Sequence, residues 1–179
     1  MSKVCAIFID GGYLKAILKN NNNFSLDYFE LSNKISKIIN AERLRTYYYD
    51  CLPALIEHNE KSKKLFQDKE KFLEKINSLP RFEIKLGKLQ RIGNTFRQKK
   101  IDVLMSLDIV DKCFEKQIQH AVLIAGDADF IPAIKKAKDH GAVIHLFAQE
   151  GSLNKELLSE IDEIHYITKD FLEDCKIKS

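Results

Sequence analysis

The residues of this chain best suited to chemistry are four aspartates that stand where apolar runs end or helices begin. Asp10 closes an apolar run near the N-terminus, and Asp127 and Asp129 follow a second apolar run. Asp102 starts an amphipathic segment, directly after a basic stretch. Carboxylates that lie close together repel one another, and an oxygen-preferring cation such as Mg²⁺ or Mn²⁺ relieves this repulsion. Because such an ion also activates water and polarises phosphoryl oxygens, the aspartates predict a site for phosphodiester hydrolysis.

Each aspartate also has an ordinary structural explanation. Asp10 and Asp127 suit turns, and Asp102 suits the first turn of a helix, where the helix dipole favours an acid. Asp129 could cap the helix that follows it, although capping and metal binding are compatible. Asp108 lies six residues beyond Asp102, about 240° around an ideal helix, so both cannot point squarely at one ion. We therefore keep Asp108 as a second-tier candidate.

The charge of the chain is unevenly distributed. The net charge of +3 hides a stretch at 81–100 with seven basic and one acidic side chain, and a stretch at 150–174 with eight acidic and two basic ones. Arg97, Lys99 and Lys100 come just before Asp102. They could hold the phosphates of a nucleic acid beside the acidic site, or simply stay solvated on an exposed face.

The hydrophobic pattern supplies the elements that position these residues. It predicts strands at 4–9, 44–49, 121–125 and 143–147, and a last extended piece at 165–167. Helical spacing predicts helices between them, including a charged helix at 61–76 and one that starts near Ile101. The alternation of apolar and basic residues at 81–92 predicts a half-exposed strand or hairpin, with a turn or bulge at Gly87. The polar composition of residues 93–100 predicts a loop.

This alternation of strands and helices predicts one α/β domain with a mostly parallel sheet and helices on both faces. Ligand sites in such sheets lie at the carboxyl ends of the strands, near the point where the strand order reverses. Asp10 and Asp127 are both expected at such ends.

Composition excludes several classes of protein. The longest apolar run near the N-terminus is far shorter than the roughly 20 residues of a membrane span, and too short for a signal peptide. The four cysteines are scattered without a Cys-x-x-Cys pair, which favours reduced structural thiols in a cytoplasmic protein. The five histidines show no i,i+4 pair beside a carboxylate, so we interpret them as ordinary residues.

Three segments of the chain resemble the NYN domain, and the bacterial LabA/DUF88 group is the most similar branch. They are Ile7-Phe8-Ile9-Asp10-Gly11-Gly12-Tyr13, the segment from Lys99-Lys100-Ile101-Asp102 through Asp108, and Ala125-Gly126-Asp127-Ala128-Asp129-Phe130. Their order and spacing cover nearly the whole chain, and the Gly-Asp-x-Asp-Phe element is the most specific part.

The resemblance implies that residues 1–179 form a single PIN-like nuclease domain, a Rossmann-like three-layer α/β/α sandwich. It implies a Mg²⁺- or Mn²⁺-dependent ribonuclease, with Asp10, Asp102 and Asp127 as metal ligands and Asp129 in a supporting role. Lys99 matches a lysine often found before the second aspartate.

The chain departs from the family pattern at Tyr13, because many relatives have an Asn there, in an Asp-Gly-x-Asn pattern. The amide that would orient the site or a phosphate is absent, and Tyr13 joins Arg97, Lys99 and Lys100 as a candidate substrate-binding residue. Tyr13 and the acidic C-terminal part also motivate an alternative, a non-catalytic module that binds RNA or a protein. A phosphatase or nucleotide hydrolase fits less well, because its characteristic phosphate-binding motifs are missing. An oligomer is compatible with the sequence.

Overall fold

The computed structural model describes residues 3–92, 95–99, 101–151 and 153–177, with residues 88–92 and 95–99 described as backbone only. The strands are β1 (Val4–Asp10), β2 (Glu42–Asp50), β3 (Phe82–Leu86), β4 (Lys88–Ile92), β5 (Thr95–Lys99), β6 (His120–Ile124), β7 (Val143–Ala148) and β8 (Glu163–Tyr166). The helices are α1 (Gly11–Asn20), α2 (Tyr28–Ile38), α3 (Glu60–Asn77), α4 (Ile101–Phe114), α5 (Ile131–Asp139), α6 (Lys155–Glu160) and α7 (Lys169–Glu173). A 3₁₀ turn, Ala128–Phe130, precedes α5.

Six of the described strands form one sheet in the order β3-β2-β1-β6-β7-β8, and every neighbouring pair in it is parallel. From β1 the chain moves outward through β2 to β3. It then returns to the other side of β1 and moves outward from β6 to β8. The strand order therefore reverses between β1 and β6, and the carboxyl ends of these two strands flank the crevice where such folds bind ligands.

Helices cover both faces of this sheet, as the sequence predicted. On one face, Leu14 of α1 and Leu31 of α2 pack with Ile7 and Ile9 of β1, and helices α3 and α7 complete that layer. On the other face, α4, α5 and α6 pack against Phe8 and the inward residues of β6 and β7. Because both faces are covered, residues 5–9 of β1 are all buried, which explains their continuous apolar run. The three-layer α/β/α sandwich is confirmed.

The prediction of a polar loop at 93–100 is wrong for residues 95–99, and residues 93, 94 and 100 lie outside the described residues. Residues Thr95–Lys99 form β5, which pairs antiparallel with β4 in a two-stranded ribbon outside the main sheet. The sequence signal that we overlooked is Gly93-Asn94, a dipeptide typical of two-residue hairpin turns. Gly87, predicted as a turn or bulge, lies between β3 of the large sheet and β4 of the ribbon.

Two helices carry apolar side chains that are not buried. In α4 the buried residues are Ile101, Met105, Ile109 and Cys113, whereas Leu107 is 62% exposed. Apolar residues surround this helix on most sides, so periodicity alone does not select the core face. Leu65 of α3 is likewise 61% exposed.

All four cysteines are buried and carry free thiols. Burial raises the pKa of Cys5 and of Cys113 to about 11, so these thiols stay protonated at neutral pH. This agrees with the expectation of structural thiols. Within the part of the chain that the structure describes, no helix is both long and apolar enough to cross a bilayer.

Candidate active site

Asp10 and Asp127 stand at the strand-order reversal, and each caps a helical segment. Asp10 ends β1, and its Oδ1 accepts hydrogen bonds from the backbone N–H groups of Gly12, at 2.9 Å, and Tyr13, at 3.1 Å. Asp127 follows β6, and its Oδ1 accepts a hydrogen bond of 2.9 Å from the N–H of Asp129. In both residues the second oxygen, Oδ2, accepts no hydrogen bond from a described residue. Each carboxylate is thus held by one oxygen and presents the other to a further ligand.

The two aspartates line one open cavity of about 570 Å³. Its other lining residues are Gly12, Tyr13, Gly126, Ala128 and Asn154. The Oδ1 of Asn154 caps α6 by accepting a hydrogen bond of 2.7 Å from the N–H of Glu156. Because α1 and the 3₁₀ turn begin at this cavity, their N-terminal N–H groups make its wall suited to negatively charged groups.

Asp102 and Asp129 line a second open cavity, of about 530 Å³, between α4 and the start of α5. Ser106 and Lys136 also contribute to it. Asp102 lies in the first turn of α4, as predicted. The four aspartates therefore occupy two openings, with Asp10 and Asp127 in one and Asp102 and Asp129 in the other.

The charges of the two openings nevertheless act on one another. Loss of hydration raises the pKa of Asp102, and the carboxylates of Asp127 and Asp129 raise it further. Burial likewise raises the pKa of Asp10. The hydrogen bonds that its carboxylate accepts from the backbone N–H groups of Tyr13 and Gly12 lower this pKa. The negative charges of Asp102 and Asp50 raise it further. A cation placed among these groups would relieve both the repulsion and the lost hydration.

Asp129 does not cap the following helix, contrary to the structural explanation considered above. The cap of the 3₁₀ turn is Asp127, whose backbone is extended, and Asp129 lies inside that turn with its side chain exposed. Helix α5 begins at Ile131 without a side-chain cap. Asp129 is consequently free of the competing role that we had assigned to it.

Asp50 is a carboxylate at the same rim that the sequence interpretation missed. It ends β2, the neighbour of β1, and is only 5% exposed. Its Oδ1 accepts a hydrogen bond of 2.7 Å from the N–H of Cys51, and its Oδ2 forms a very short ion pair with Lys69 of α3. Its position directly after an apolar strand, which also singles out Asp10, was the available signal. We had ended that strand at Tyr49.

Glycine at position 11 allows Asp50 to approach the start of α1. A Cβ built on Gly11 would lie 2.8 Å from Oδ2 of Asp50 and 2.7 Å from the hydroxyl oxygen of Tyr48. Contacts this short are not tolerated, so a side chain at position 11 would displace both groups. The absence of a side chain at Gly11 therefore permits the close approach of Tyr48 and Asp50 to the start of α1.

Tyr13 lines the first cavity and braces it. The Tyr13 ring lies against the backbone at Gly126, and its hydroxyl oxygen accepts a hydrogen bond of 3.2 Å from the N–H of Gln149, just after β7. Tyr13 thus joins the start of α1 to the ends of β6 and β7. Tyr13 shares this cavity with Asp10 and Asp127, and its role in substrate binding stays a prediction.

Asp108 has a different environment from the other four candidates. Its Oδ2 accepts a hydrogen bond of 2.7 Å from the hydroxyl group of Tyr49 and lies 3.9 Å from Nζ of Lys85. It is not among the residues that line either aspartate cavity. These contacts agree with the angle of about 240° between Asp102 and Asp108 on an ideal helix, which places the two side chains on different sides of α4.

Two of the three candidate basic residues belong to the ribbon that precedes α4. Arg97 and Lys99 lie in β5, where their backbones pair with Gln90 and Lys88. Lys100 lies outside the described residues. Since β5 ends at Lys99 and α4 begins at Ile101, the end of the ribbon is three residues before Asp102 in the sequence.

The donor set suits an oxygen-preferring divalent cation. All the candidate ligands are carboxylates, the donors that Mg²⁺ and Mn²⁺ favour. Among the described residues, no three of these aspartates bring ligand oxygens within 4.8 Å of one another. Mg²⁺ commonly keeps several water ligands and binds one or two carboxylates directly, so it tolerates this wider spacing.

Comparisons with known proteins agree with this fold. The NYN domain model matches residues 4–168. The uncharacterized protein MJ0482 of Methanocaldococcus jannaschii is 31% identical over 71 residues, which are 40% of this chain and 30% of that protein. The match therefore spans less than a third of that relative's length. The crystal structure of VPA0982 from Vibrio parahaemolyticus, a protein of unknown function, has a TM-score of 0.68 at 17% identity over 96% of each chain, a likeness of fold alone. Since the family match extends over nearly all of its length, the chain belongs to the NYN domain family, within the PIN-like nucleases.

Proposed function

We propose that this protein is a metal-dependent nuclease that hydrolyses phosphodiester bonds in RNA. The observation that carries the proposal is the placement of Asp10 and Asp127 at the reversal between β1 and β6, each held by Oδ1 and presenting Oδ2. The electrostatic coupling of Asp102 to Asp127 ties the third carboxylate to this pair. Family membership supports a nuclease-type hydrolase in general.

The proposed division of labour follows from these positions. Asp10, Asp102 and Asp127 would hold Mg²⁺ or Mn²⁺. Such an ion would supply the Lewis acidity that phosphodiester hydrolysis needs. Asp129, exposed at the rim and engaged in no cap, orients the attacking water or takes its proton. The backbone N–H groups of Gly12 and Tyr13 donate hydrogen bonds to Asp10 and hold its carboxylate in one orientation. Little reorganisation is therefore needed during the reaction.

The proposed substrate is RNA, bound by the ribbon and by the wall of the first cavity. Arg97, Lys99 and Lys100 supply cations that neutralise backbone phosphates, the main source of affinity for nucleic acids. Tyr13 supplies an aromatic side chain beside the carboxylates, where a base or ribose can pack. The LabA/DUF88 branch, with its bacterial and cytoplasmic context, is part of the same proposal.

A cleavage assay tests the proposal. Purified protein is incubated with labelled single-stranded RNA and Mg²⁺ or Mn²⁺, and wild type is compared with Asp127→Asn and with Asp68→Asn. Asp68 is an exposed residue of α3, so its variant controls for the loss of one charge. We expect Asp127→Asn to lose at least about 100-fold in rate and Asp68→Asn to match wild type. Equal cleavage by wild type and Asp127→Asn, or no cleavage at all, would contradict the proposal.

A second candidate function is a non-catalytic module that binds RNA or a protein. It is favoured by the capping hydrogen bonds of Asp10 and Asp127, because these bonds give both residues a structural role that requires no metal. Calorimetric titration with Mn²⁺ separates the two functions. RNA binding that persists without measurable Mn²⁺ affinity would favour the binding module, whereas Mn²⁺ binding that Asp127→Asn abolishes would favour the nuclease.

A further inference from the structure

Three histidines from three adjacent strands form a row on one face of the sheet. His120 begins β6, His145 lies in β7 and His165 lies in the edge strand β8. Their ring centroids are 5.1 Å apart between His120 and His145, and 5.7 Å apart between His145 and His165. Glu163 joins the row, because β8 pairs it with His145.

The ligand atoms of three of these residues converge on one point. Nδ1 of His145 lies 3.3 Å from Oε2 of Glu163 and 3.4 Å from Nε2 of His165. The third side of the triangle, from Nε2 of His165 to Oε2 of Glu163, is 3.7 Å. Among the described residues, this is the one group of three such side chains whose ligand atoms all lie within 4.8 Å of one another.

These distances are those of a metal coordination shell. Ligands bound tetrahedrally to Zn²⁺ at its usual distances of about 2.0 to 2.2 Å are separated from one another by about 3.4 Å. A point equidistant from three atoms in the observed triangle lies about 2.0 Å from each, which is a normal Zn–N or Zn–O distance. The triangle therefore needs little adjustment to accept an ion.

The neighbours of the triangle resemble the outer shell of a metal site. Nε2 of His145 is 2.8 Å from Nδ1 of His120, so His145 can donate its remaining N–H to His120 while its Nδ1 faces the ion. The ring of His165 stacks on Phe147, with centroids 4.4 Å apart and planes 16° from parallel.

We propose that His145, His165 and Glu163 bind a divalent transition-metal ion of the Zn²⁺ class, at a site distinct from the aspartates. Two imidazoles and one carboxylate suit such borderline ions better than Mg²⁺. The His145 side chain is 2% exposed and that of Glu163 is 54% exposed, so the ion has an apolar inner side and an outer side open to solvent for a fourth ligand.

The position of the site in the fold indicates its role. Through the register of β6 and β7, His145 and Glu163 lie level with Ile7 of β1, three residues or about 10 Å before Asp10 along the strand. The site is on β7 and β8, two and three strands away from β1, which adds a lateral separation of about 10 to 14 Å. The ion would join β7 to β8, a four-residue edge strand whose residues are mostly exposed. Metal binding here would stabilise the pairing of β8 with β7 and the position of the segment that continues from β8 into α7.

A spectroscopic titration tests the site without relying on nuclease activity. Metal-free protein is titrated with Co²⁺, whose visible absorption is strong in tetrahedral sites, and then with Zn²⁺ as a competitor. The proteins are wild type, Asp127→Asn, Glu163→Gln, His165→Gln and Glu115→Gln. Glu115 is exposed and makes no side-chain hydrogen bond or ion pair with the described residues, so its variant matches the charge change of Glu163→Gln.

We expect one Co²⁺ per chain with tetrahedral absorption in wild type, Asp127→Asn and Glu115→Gln, displaced by Zn²⁺. Glu163→Gln and His165→Gln should weaken binding by at least about 10-fold. Zn²⁺ at about 100 times its dissociation constant should also raise the free energy of unfolding of wild type by about 2.7 kcal/mol, and that of Glu163→Gln by much less. Both substituted residues are partly exposed, so the variants are expected to fold, and circular dichroism checks this.

Two results would overturn the proposal. The first is the absence of tetrahedral Co²⁺ absorption in wild type, which would leave the row as a set of neutral hydrogen-bonded rings. The second is absorption that survives both Glu163→Gln and His165→Gln but disappears in Asp127→Asn, which would assign the ion to the aspartates.

Discussion

The aromatic ring of Tyr13 lies so close to the backbone of Gly126 that a Cβ built on Gly126 would be 2.5 Å from the Tyr13 ring carbon Cε2. The two residues come from opposite sides of the strand-order reversal, since Tyr13 is in α1 and Gly126 follows β6. Each is adjacent in sequence to the site, Gly126 directly before Asp127 and Tyr13 three residues after Asp10. Their contact therefore packs the start of α1 against the segment that carries Asp127.

The first prediction concerns this contact. Gly126→Ala forces the Tyr13 ring away and should lower the free energy of unfolding by about 1 to 3 kcal/mol, the usual cost of overpacking. Tyr13→Ala removes the ring, so adding Gly126→Ala to it should cost much less. Urea unfolding of the two single variants and the double variant measures the coupling. If Gly126→Ala costs the same in both backgrounds, the ring contact is not its cause.

The second prediction separates the two roles of Asp127. Asn is as good an N-cap as Asp, whereas Ala is not. Asp127→Asn should therefore leave the free energy of unfolding of the metal-free protein nearly unchanged, and Asp127→Ala should lower it by about 1 kcal/mol. Both variants should lose RNA cleavage. Equal destabilisation by Asn and Ala, measured by urea unfolding, would show that the hydrogen bond to Asp129 N–H contributes nothing.

The third prediction concerns pH. Because the folded protein raises the pKa of Asp102 above its ordinary value of 3.8, the folded state binds this proton more tightly than the unfolded state. The metal-free protein therefore loses stability as the pH rises from about 3.8 through the raised pKa. Asp102→Asn has no such proton, so it should be more stable than wild type at neutral pH and equal to it below pH 3.8.

Urea unfolding in EDTA at both pH values measures this difference, with Asp68→Asn as the exposed control. Mg²⁺ should stabilise wild type at neutral pH and stabilise Asp102→Asn less. A stability difference that is the same at both pH values would mean that the charge of Asp102 is not the cause.

The fourth prediction concerns the ion pair of Asp50 and Lys69. The two side chains are 7% and 18% exposed, so removal of the cation leaves a buried carboxylate without its partner. Lys69→Met should lower the free energy of unfolding by about 3 kcal/mol. Lys71→Met, at an exposed position of the same helix, is the matched control and should change little. Equal values for both variants, from urea unfolding, would argue against a role for the pair.

The fifth prediction concerns RNA binding by the ribbon. Each cation that contacts a phosphate contributes about one unit to the slope of log K against log salt. Arg97→Gln and Lys99→Gln should each reduce this slope by about one and weaken binding uniformly across RNA sequences. Fluorescence anisotropy at several salt concentrations measures both effects, with Lys64→Gln of α3 as the control. An unchanged slope in both ribbon variants would remove the ribbon from the proposed interface.

The fold could be predicted from sequence because both faces of the sheet are covered. That coverage makes 5–9 and 121–124 continuously apolar, and such runs are easily recognised as buried parallel strands. The aspartates at the ends of these runs were recognised for the same reason. Asp50 was missed because β2 carries polar residues in its first half, which weakens the same signal.

Other features depend on strand register, which the sequence does not display. His145 lies 25 residues after His120 and 20 residues before His165, spacings that match no local motif. Only the parallel pairing of β6, β7 and β8 brings their rings together. In α4, Leu107 and Ile109 are equally apolar, and only the packing against the sheet decides that Ile109 is buried.

The capping bonds of Asp10 and Asp127 have a consequence for how relatives of this protein should be compared. Folding alone selects an acid or an amide at these two positions, because alanine would leave the first N–H groups of two helical segments without an acceptor. A relative that has lost hydrolysis can therefore keep Asp or Asn at both. Asp102 lies within the first turn of α4 rather than at a cap, so substitution at position 102 would be the better indicator that the proposed hydrolysis has been lost.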